Sequence, residues 1–330
     1  MKYRKFGNTE LVVSEIGFGA WGIGGPAMAG DIPIGWGEVN NSDSVRALEN
    51  AFDLGINFFD TADFYGLGLS EKLIGDTFSN SDEVIIATKV GHRLEDDDSI
   101  KLDYSKEYIL GACDKSLGRL KRERIDYYQL HSARVSHLKQ GECIEAMEQL
   151  VENGKVRYWG VSLNTFNPEP EAEFMMRNNL ASGFQLVLNI INQRAIPLVL
   201  KAAKEGYGII ARMPIQFGLL TGKFMKDTKF DKNDHRYFRL TPEFLTKALD
   251  ELELVWPIAD KYGISKTSLS LSFILTLREV STVIPGIKTP EQAKLNITDL
   301  IELNKEDFDL LRSMYSDNLF KLVELMEKLG

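Results

Sequence analysis

The chain has 330 residues, 44% of them hydrophobic, and a formal net charge of −9. This length allows a large buried core, and the acidic balance, with no basic stripe, argues against nucleic acid or an anionic membrane as a partner. No apolar run reaches the ~20 residues of a membrane span, and no signal peptide is apparent. Cys113 and Cys143 lack a paired spacing. We therefore expect a cytoplasmic protein in which both thiols are reduced.

Short apolar segments alternate with amphipathic ones along most of the chain. Each apolar segment is rich in Val, Ile, Phe and Tyr and is bounded by turn residues, which is typical of buried parallel strands. These predicted strands cover residues 15–19, 56–60, 83–90, 125–131, 156–162, 184–189, 208–214 and 281–285. The stretches between them have helical periodicity, most clearly in 42–54, 105–120 and 289–299, the last opened by a capping box at Thr289 and Gln292.

Eight strands, each followed by a helical segment, favour an α/β fold of the closed (β/α)8 TIM barrel type, with residues 1–330 as a single domain. The opening YRKFG and LVVS segments predict an extra N-terminal β-hairpin. Beyond residue 300 we expect extra C-terminal helices at 305–317 and 319–328. The long stretch 213–241 is predicted to be a functional loop or lid, and the Gly-rich insert 22–40 with Trp36 is expected to cover part of the barrel mouth.

Polar and charged residues recur where the predicted strands end, which is where active sites of such barrels lie. Lys89 closes an apolar strand, and burial would penalise its ammonium unless an anion lies beside it. Asp60 closes the neighbouring strand and Tyr65 follows in a Gly-containing loop. Near Lys89, the phenolate form of Tyr65 would be stabilised, so that the phenol could donate a proton to a carbonyl oxygen that His131 also hydrogen-bonds.

Each of these residues also has a structural interpretation. Lys89 and Asp60 could form an ion pair that only holds two strands together, and a lone His131 or Tyr65 would ordinarily be a packed core or rim residue. The four together at adjacent strand ends favour a site.

Two other patterns predict no site. The glycines at 17, 19 and 22 match G-x-G-x-x-G, but loop composition follows where a dinucleotide fingerprint requires a helix. The acidic run 95–98 is interpreted as a solvated loop, and no metal site is expected.

Several motifs in the right order resemble the aldo-keto reductase superfamily. They are GINFFDTADFYGLGLSEKLIGD (55–76), IATKVG (86–91), DYYQLH (126–131), GKVRYWGVS (154–162), FGLLTGK (217–223) and STVIPGIKTPEQAKLN (281–296). The resemblance implies a catalytic tetrad of Tyr65 as general acid, Lys89 stabilising its phenolate, Asp60 orienting Lys89, and His131 positioning the carbonyl. It also implies hydride transfer from a nicotinamide cofactor, commonly NADPH with NADH possible, to a small-molecule carbonyl substrate, without a metal.

The same resemblance implies a set of cofactor-binding positions. Ser162 and Gln185 match residues that hold the nicotinamide carboxamide, Asn164 is expected to replace an Asn that many relatives have directly after that Ser, and Arg212 to replace a stacking aromatic. Near the adenosine phosphate the remaining cation is Lys288, beside a helix N-terminus that favours an anion. The full set is Gly19, Trp21, Asp60, Ser162, Asn164, Gln185, Arg212, Pro214, Gly218, Lys223, Gly286, Lys288, Gln292 and Asn296.

Three other functions stay open at the level of sequence. One is a nicotinamide-binding sensor or accessory subunit with slow turnover, as some members of the resembled family are. Another is an NAD(P)-dependent sugar dehydrogenase that runs in the oxidative direction. The third is a barrel aldolase with Lys89 as its Schiff-base lysine, which leaves Tyr65, Ser162 and Gln185 without a role. The oligomeric state is also open.

Overall fold

The structure, a computed structural model, describes residues 1–79 and 81–329. Its strands are, in chain order, β1 Tyr3–Lys5, β2 Val12–Ser14, β3 Phe18–Gly19, β4 Met28–Ala29, β5 Ile32–Pro33, β6 Phe58–Asp60, β7 Ile85–Val90, β8 His92–Leu94, β9 Ile100–Leu102, β10 Ile125–His131, β11 Val156–Ser162, β12 Gly183–Val187, β13 Gly208–Arg212 and β14 Thr282–Ile284.

The helices lie mainly between the strands of the main sheet and after the last of them. They are α1 Asn41–Asp53, α2 Leu69–Phe78, α3 Lys106–Leu120, α4 Val135–Gln140, α5 Glu142–Glu152, α6 Glu169–Arg177, α7 Ile196–Lys204, α8 Arg236–Arg239, α9 Pro242–Leu252, α10 Trp256–Tyr262, α11 Lys266–Thr276, α12 Pro290–Ile297, α13 Lys305–Met314 and α14 Phe320–Leu329. Short 3-10 turns occupy Gly22–Gly24, Tyr65–Gly68 and Gln216–Thr221. No helix in the described ranges is long and apolar enough to span a membrane.

Eight strands form one parallel sheet in the order β14-β13-β12-β11-β10-β7-β6-β3. Parallel bridges from Ile16 to Val283 and from Gly19 to Gly286 join its first and last strands into a nearly closed barrel. This closure needs glycine at position 19, because a Cβ there would lie 2.8 Å from the carbonyl oxygen of Pro285. The predicted (β/α)8 barrel is confirmed.

The N-terminal hairpin is also confirmed, since β1 and β2 pair antiparallel from Tyr3–Ser14 to Lys5–Val12. Phe6 and Leu11 in its turn region pack with Phe58 and Tyr127 in a small cluster separate from the larger core. The hairpin therefore covers apolar barrel residues that would otherwise meet water, and their burial stabilises the fold.

The two predicted C-terminal helices are confirmed, with bounds that differ by a few residues: the first ends at Met314 and the second begins at Phe320. A π-helical turn at Tyr315–Leu319 joins α13 directly to α14. The flanking residues Met314 and Phe320 both keep right-handed helical backbone angles, and the segment between them contains no Gly or Pro that would stop a helix.

Two hairpins and several helices were not predicted. The insert 22–40 contains the β4–β5 hairpin, and the segment after Lys89 contains β8–β9. Strands of two or three residues carry too little alternation to be recognised from sequence. The stretch 213–241 holds a 3-10 turn and the one-turn helix α8, and helices α9 to α11 follow it.

Candidate active site

Asp60 and Lys89 form the buried centre of the site, at the ends of the neighbouring strands β6 and β7. The Lys89 Nζ atom donates hydrogen bonds to Asp60 Oδ1 at 2.6 Å, to the Thr61 carbonyl oxygen at 2.7 Å and to the Tyr65 hydroxyl at 3.2 Å. Lys89 is 0% exposed. Burial alone would disfavour its ammonium, but the charge of Asp60 and the Tyr65 oxygen outweigh it, and the pKa of Lys89 is raised. The ammonium is thus held charged next to the phenol.

The second carboxylate oxygen of Asp60 accepts hydrogen bonds from two glutamines. Gln185 Nε2 lies 2.7 Å and Gln129 Nε2 3.1 Å from Asp60 Oδ2. These four side chains, Asp60, Lys89, Gln129 and Gln185, make up the strand-end network. Gln129 was missed in the sequence, although it is a polar residue inside the apolar run of β10, in register with Lys89 and two residues before His131.

Tyr65 begins a 3-10 turn directly after the strand-end residues. The Lys89 Nζ atom lies 4.7 Å from the centre of its ring, and the ring stacks on Trp21 with centroids 6.0 Å apart. The turn depends on Gly66, which has φ +59° and whose Cβ, if present, would lie 2.0 Å from the Gly24 carbonyl oxygen. A close approach of the insert thus fixes the position of the tyrosine.

His131 ends β10 with its ring edge-on to Tyr65 at a centroid distance of 6.1 Å. Burial lowers the pKa of His131 well below its ordinary value, and neighbouring His92, Lys89 and Arg212 add to this effect. A neutral imidazole has one N–H donor and one acceptor. His131 is therefore suited to hydrogen-bonding a neutral carbonyl oxygen without giving up a proton. His92, which was not predicted, stacks on His131 with centroids 4.2 Å apart.

Ser162 ends β11 and Arg212 ends β13, whereas Gln185 lies in the middle of β12 and Asn164 follows β11 by two residues. The Ser162 hydroxyl donates to Gln185 Oε1 at 3.4 Å, so these two predicted positions are adjacent. Asn164 Oδ1 accepts from the backbone of residues 166 and 167 at 2.9 Å, which commits that oxygen to a local turn.

Arg212 is held by neutral groups. It donates to the Leu163 carbonyl oxygen at 3.3 Å and to Thr165 Oγ1 at 3.0 Å, and no acid in the described ranges hydrogen-bonds to it. Burial lowers the pKa of Arg212. Its Nε atom is buried without a partner within residues 1–79 and 81–329. Arg212 is therefore not held by an ion pair with a loop acid of the described ranges.

The predicted phosphate-side residues lie just before α12 and along it. Thr289 accepts from the Gln292 backbone, and Gln292 Oε1 accepts from the Lys288 backbone at 2.8 Å. The Lys288 Nζ atom donates to the Trp36 carbonyl oxygen at 3.2 Å. Gly286 is exposed and faces open space, and the buried Asn296 leaves Nδ2 without a partner in the described part of the chain.

An aromatic cover lies over the Tyr65 side of the site, and we define it as Trp21, Trp36, Phe217 and His235. The His235 ring lies 4.6 Å from that of Trp21, 4.3 Å from that of Trp36 and 4.9 Å from that of Phe217. His235 is 0% exposed, and burial, with Arg239 nearby, lowers its pKa to about 3. The stretch 213–241 thus packs on the insert 22–40.

The remaining predicted positions of that stretch lie around the same segment. Pro214 is buried after β13, Gly218 lies in the 3-10 turn with φ +92°, and Lys223 is exposed beyond it. Trp36, as part of the insert 22–40, was expected to cover part of the barrel mouth. His235 was not predicted, and its only signal was its place in the long stretch 213–241.

The family model described as "Aldo/keto reductase family" matches residues 15–316. The chain belongs to this family of oxidoreductases. It is 32% identical to an uncharacterized oxidoreductase, YqkF, of Bacillus subtilis, over 97% of this chain and 99% of that one. It is 27% identical to an NADH-specific methylglyoxal reductase of Escherichia coli, over 95% and 98%. Among solved structures it resembles the glycerol dehydrogenase AKR11B4 of Gluconobacter oxydans, with a TM-score of 0.80, 26% identity and 95% coverage of both chains.

Proposed function

We propose that this protein reduces aldehydes or ketones to alcohols with a nicotinamide cofactor, preferring NADPH, and that Tyr65 is the general acid. The observation that carries the proposal is the Tyr65 hydroxyl at 3.2 Å from the buried Lys89 Nζ, with Asp60 on the far side of the ammonium at 2.6 Å. A fixed positive charge beside a phenol favours release of its proton.

Bound at this mouth, the cofactor would supply a hydride to the carbonyl carbon. Tyr65 donates its proton to the carbonyl oxygen, which completes the alcohol, and the Lys89 ammonium stabilises the phenolate left behind. The phenolate then regains a proton from water. His131, neutral because burial lowers its pKa, donates a hydrogen bond to the same oxygen and orients the carbonyl.

The residues present fit a nicotinamide dinucleotide. Gln185 and Ser162 offer amide and hydroxyl groups for the carboxamide, and Arg212 offers a planar guanidinium with an unpartnered Nε for stacking or hydrogen bonding. At the other end, Lys288 lies beside the N-terminus of α12, where free backbone N–H groups favour a phosphate. Lys288 is the basis for preferring NADPH, and NADH is the alternative cofactor.

The contacts of Lys89 favour reduction over the aldolase alternative. A Schiff base requires a deprotonated amine, whereas Lys89 donates to three oxygens and has a raised pKa. The reverse reaction, oxidation of a hydroxyl compound, uses the same groups, so assays should be run in both directions. We also propose a cytoplasmic location, where Cys113 and Cys143, both buried and free, would stay reduced.

The test follows oxidation of NADPH and NADH with a panel of aldehydes and dicarbonyl compounds, using wild type and Tyr65→Phe. Loss of the general acid should lower kcat by at least about a hundredfold while cofactor binding is kept. The matched control is Tyr127→Phe, which removes a buried hydroxyl that has no hydrogen-bond partner among the described residues. Tight cofactor binding by wild type with no turnover in either direction would replace the reductase proposal by the sensor alternative.

A separate variant tests the proposed preference for NADPH over NADH. Lys288→Met should raise the dissociation constant of NADPH about tenfold or more, because a charged hydrogen bond to phosphate is lost, and change that of NADH little. An equal rise in the dissociation constants of NADPH and NADH would contradict the proposed preference for NADPH.

A further inference from the structure

Ser70 lies in the first turn of α2, directly after the 3-10 turn that begins with Tyr65. Its side chain is 0% exposed, and α2 begins without a side-chain cap. The Ser70 hydroxyl donates to the Ala20 carbonyl oxygen at 2.9 Å and accepts from the Thr61 hydroxyl at 2.8 Å. Ala20 and Thr61 directly follow β3 and β6, so this buried hydroxyl joins the ends of two barrel strands.

The Thr61 partner of Ser70 leads to the Lys89 ammonium. The Thr61 carbonyl oxygen lies 2.7 Å from Lys89 Nζ, which also donates to Asp60 and to the Tyr65 hydroxyl. An ammonium has three N–H donors, and they point to the corners of a tetrahedron. When two donors are held, the direction of the third is set. The acceptor at Thr61 therefore helps to direct the third N–H at the Tyr65 hydroxyl.

The Ala20 partner of Ser70 leads to the other side of the tyrosine. Ala20 directly precedes Trp21, whose ring stacks on that of Tyr65 with centroids 6.0 Å apart. The Ala20 N–H donates to the Asp60 carbonyl oxygen at 2.8 Å. One hydroxyl group thus fixes both the backbone that supports Trp21 and the backbone that supplies an acceptor to the ammonium.

We propose that Ser70 is a positioning residue, which holds the Thr61 carbonyl oxygen in place as an acceptor and so keeps the Lys89 ammonium directed at the phenol of the general acid. This inference rests on the proposed reductase function. The charged or titratable groups around that phenol come from four strands of the barrel and are Lys89, Asp60, His131 and Arg212. Within residues 1–79 and 81–329, Ser70 hydrogen-bonds to none of them, so it acts through the backbone.

The test uses Ser70→Ala, which leaves the Thr61 hydroxyl without its acceptor. A less directed ammonium stabilises the phenolate less, so the phenol keeps its proton to higher pH. The rate of carbonyl reduction in a single turnover of NADPH reports the chemical step, and it falls on the alkaline side as the acid loses its proton. We expect the midpoint of this fall to move up by about half a pH unit or more in Ser70→Ala.

Two further variants separate this effect from a general loss of stability. Ser44→Ala removes an equally buried hydroxyl from the first turn of α1, where it donates to the Asn40 carbonyl oxygen at 3.2 Å, and should leave the midpoint unchanged. Thr61→Val breaks the proposed link from its other side and keeps the side-chain shape. It should move the midpoint in the same direction as Ser70→Ala, and the double variant should move it no further than the larger single change.

Reduction by wild type that is lost in Tyr65→Phe first establishes the function on which this inference depends. An unchanged midpoint in Ser70→Ala, or an equal move in Ser44→Ala, would show that Ser70 only stabilises the fold, and would overturn the inference while leaving the reductase function intact. A move to lower pH would overturn it as well, because the Thr61 carbonyl would then draw the ammonium away from the phenol.

The remaining outcomes are equally decisive. Additive moves in the double variant would show two separate routes and contradict the single link through Ser70. If Ser70→Ala does not fold, Thr61→Val decides between the outcomes by the same midpoint. If wild type reduces no carbonyl compound, the proposed function fails, and the inference fails with it.

Discussion

The strand-end network and the aromatic cover are built in opposite ways. In the network, Asp60 accepts from Lys89, Gln129 and Gln185 at 2.6 to 3.1 Å, and every one of these side chains extends from a strand of the barrel. The cover comes from two long connections and is held by ring contacts, with Trp36 Nε1 and His235 Nε2 buried but without a partner among the described residues.

The two regions therefore differ in how narrowly they fix the positions of their side chains. Side chains on hydrogen-bonded strands have fixed origins, so charged groups can be held at the distances that proton transfer needs. Ring packing in connecting segments sets no equally narrow geometry, and the unpartnered nitrogens leave hydrogen bonds for a bound molecule to make. Variants of the two regions should therefore behave differently.

The largest effect on stability and activity is expected when the strand-end network loses its cation, Lys89. Lys89→Met leaves the Asp60 carboxylate buried without its cation and removes the stabiliser of the Tyr65 phenolate. We expect the free energy of unfolding to fall by about 3 to 5 kcal/mol and carbonyl reduction to fall by at least about a hundredfold. Urea unfolding and steady-state assays measure the two effects. Lys72→Met, which removes an exposed ion pair with Asp76, is the control and should change stability by no more than about 0.5 kcal/mol.

A smaller loss of stability is expected when one of the neutral glutamines of the strand-end network is replaced. Gln129→Leu removes one hydrogen bond to the Asp60 carboxylate, and we expect the free energy of unfolding to fall by about 2 kcal/mol. Trp36→Phe in the cover removes a nitrogen that has no partner within residues 1–79 and 81–329, and should cost clearly less. Urea unfolding of both variants tests the comparison, and an equal or greater loss in Trp36→Phe would contradict it.

The last effect depends on pH and belongs to the cover. The pKa of His235 is lowered to about 3 from an ordinary 6.5, so between these values the unfolded chain binds a proton that the folded chain does not. Stability should thus fall as the pH drops through this window. His235→Phe keeps the ring and removes this titration, so at pH 5 wild type should lose about 2 kcal/mol more, relative to pH 8, than the variant does. Urea unfolding at the two pH values measures this difference. If the free energy of unfolding fell by the same amount in wild type and in His235→Phe, His235 would not be held neutral in the folded protein.

Much of the fold could be predicted because its signals are local. Apolar runs bounded by turns marked the barrel strands, and the polar residues at their ends marked Asp60, Lys89 and His131. Parallel pairing then brings these ends together, as in the register of Gln129 with Lys89.

Other features depend on which distant segment packs on which. Sequence alone determined the barrel, the N-terminal hairpin and the strand ends, since strand periodicity and helix caps are set by neighbouring residues. Only the tertiary structure decided that His92 stacks on His131 and that His235 packs in the aromatic cover against Trp36, some 200 residues away. It also decided that the Asn164 Oδ1 atom accepts a hydrogen bond from the backbone of its own turn. The physical reason is that side-chain partners in connecting segments follow the path of the loops, which no local period encodes.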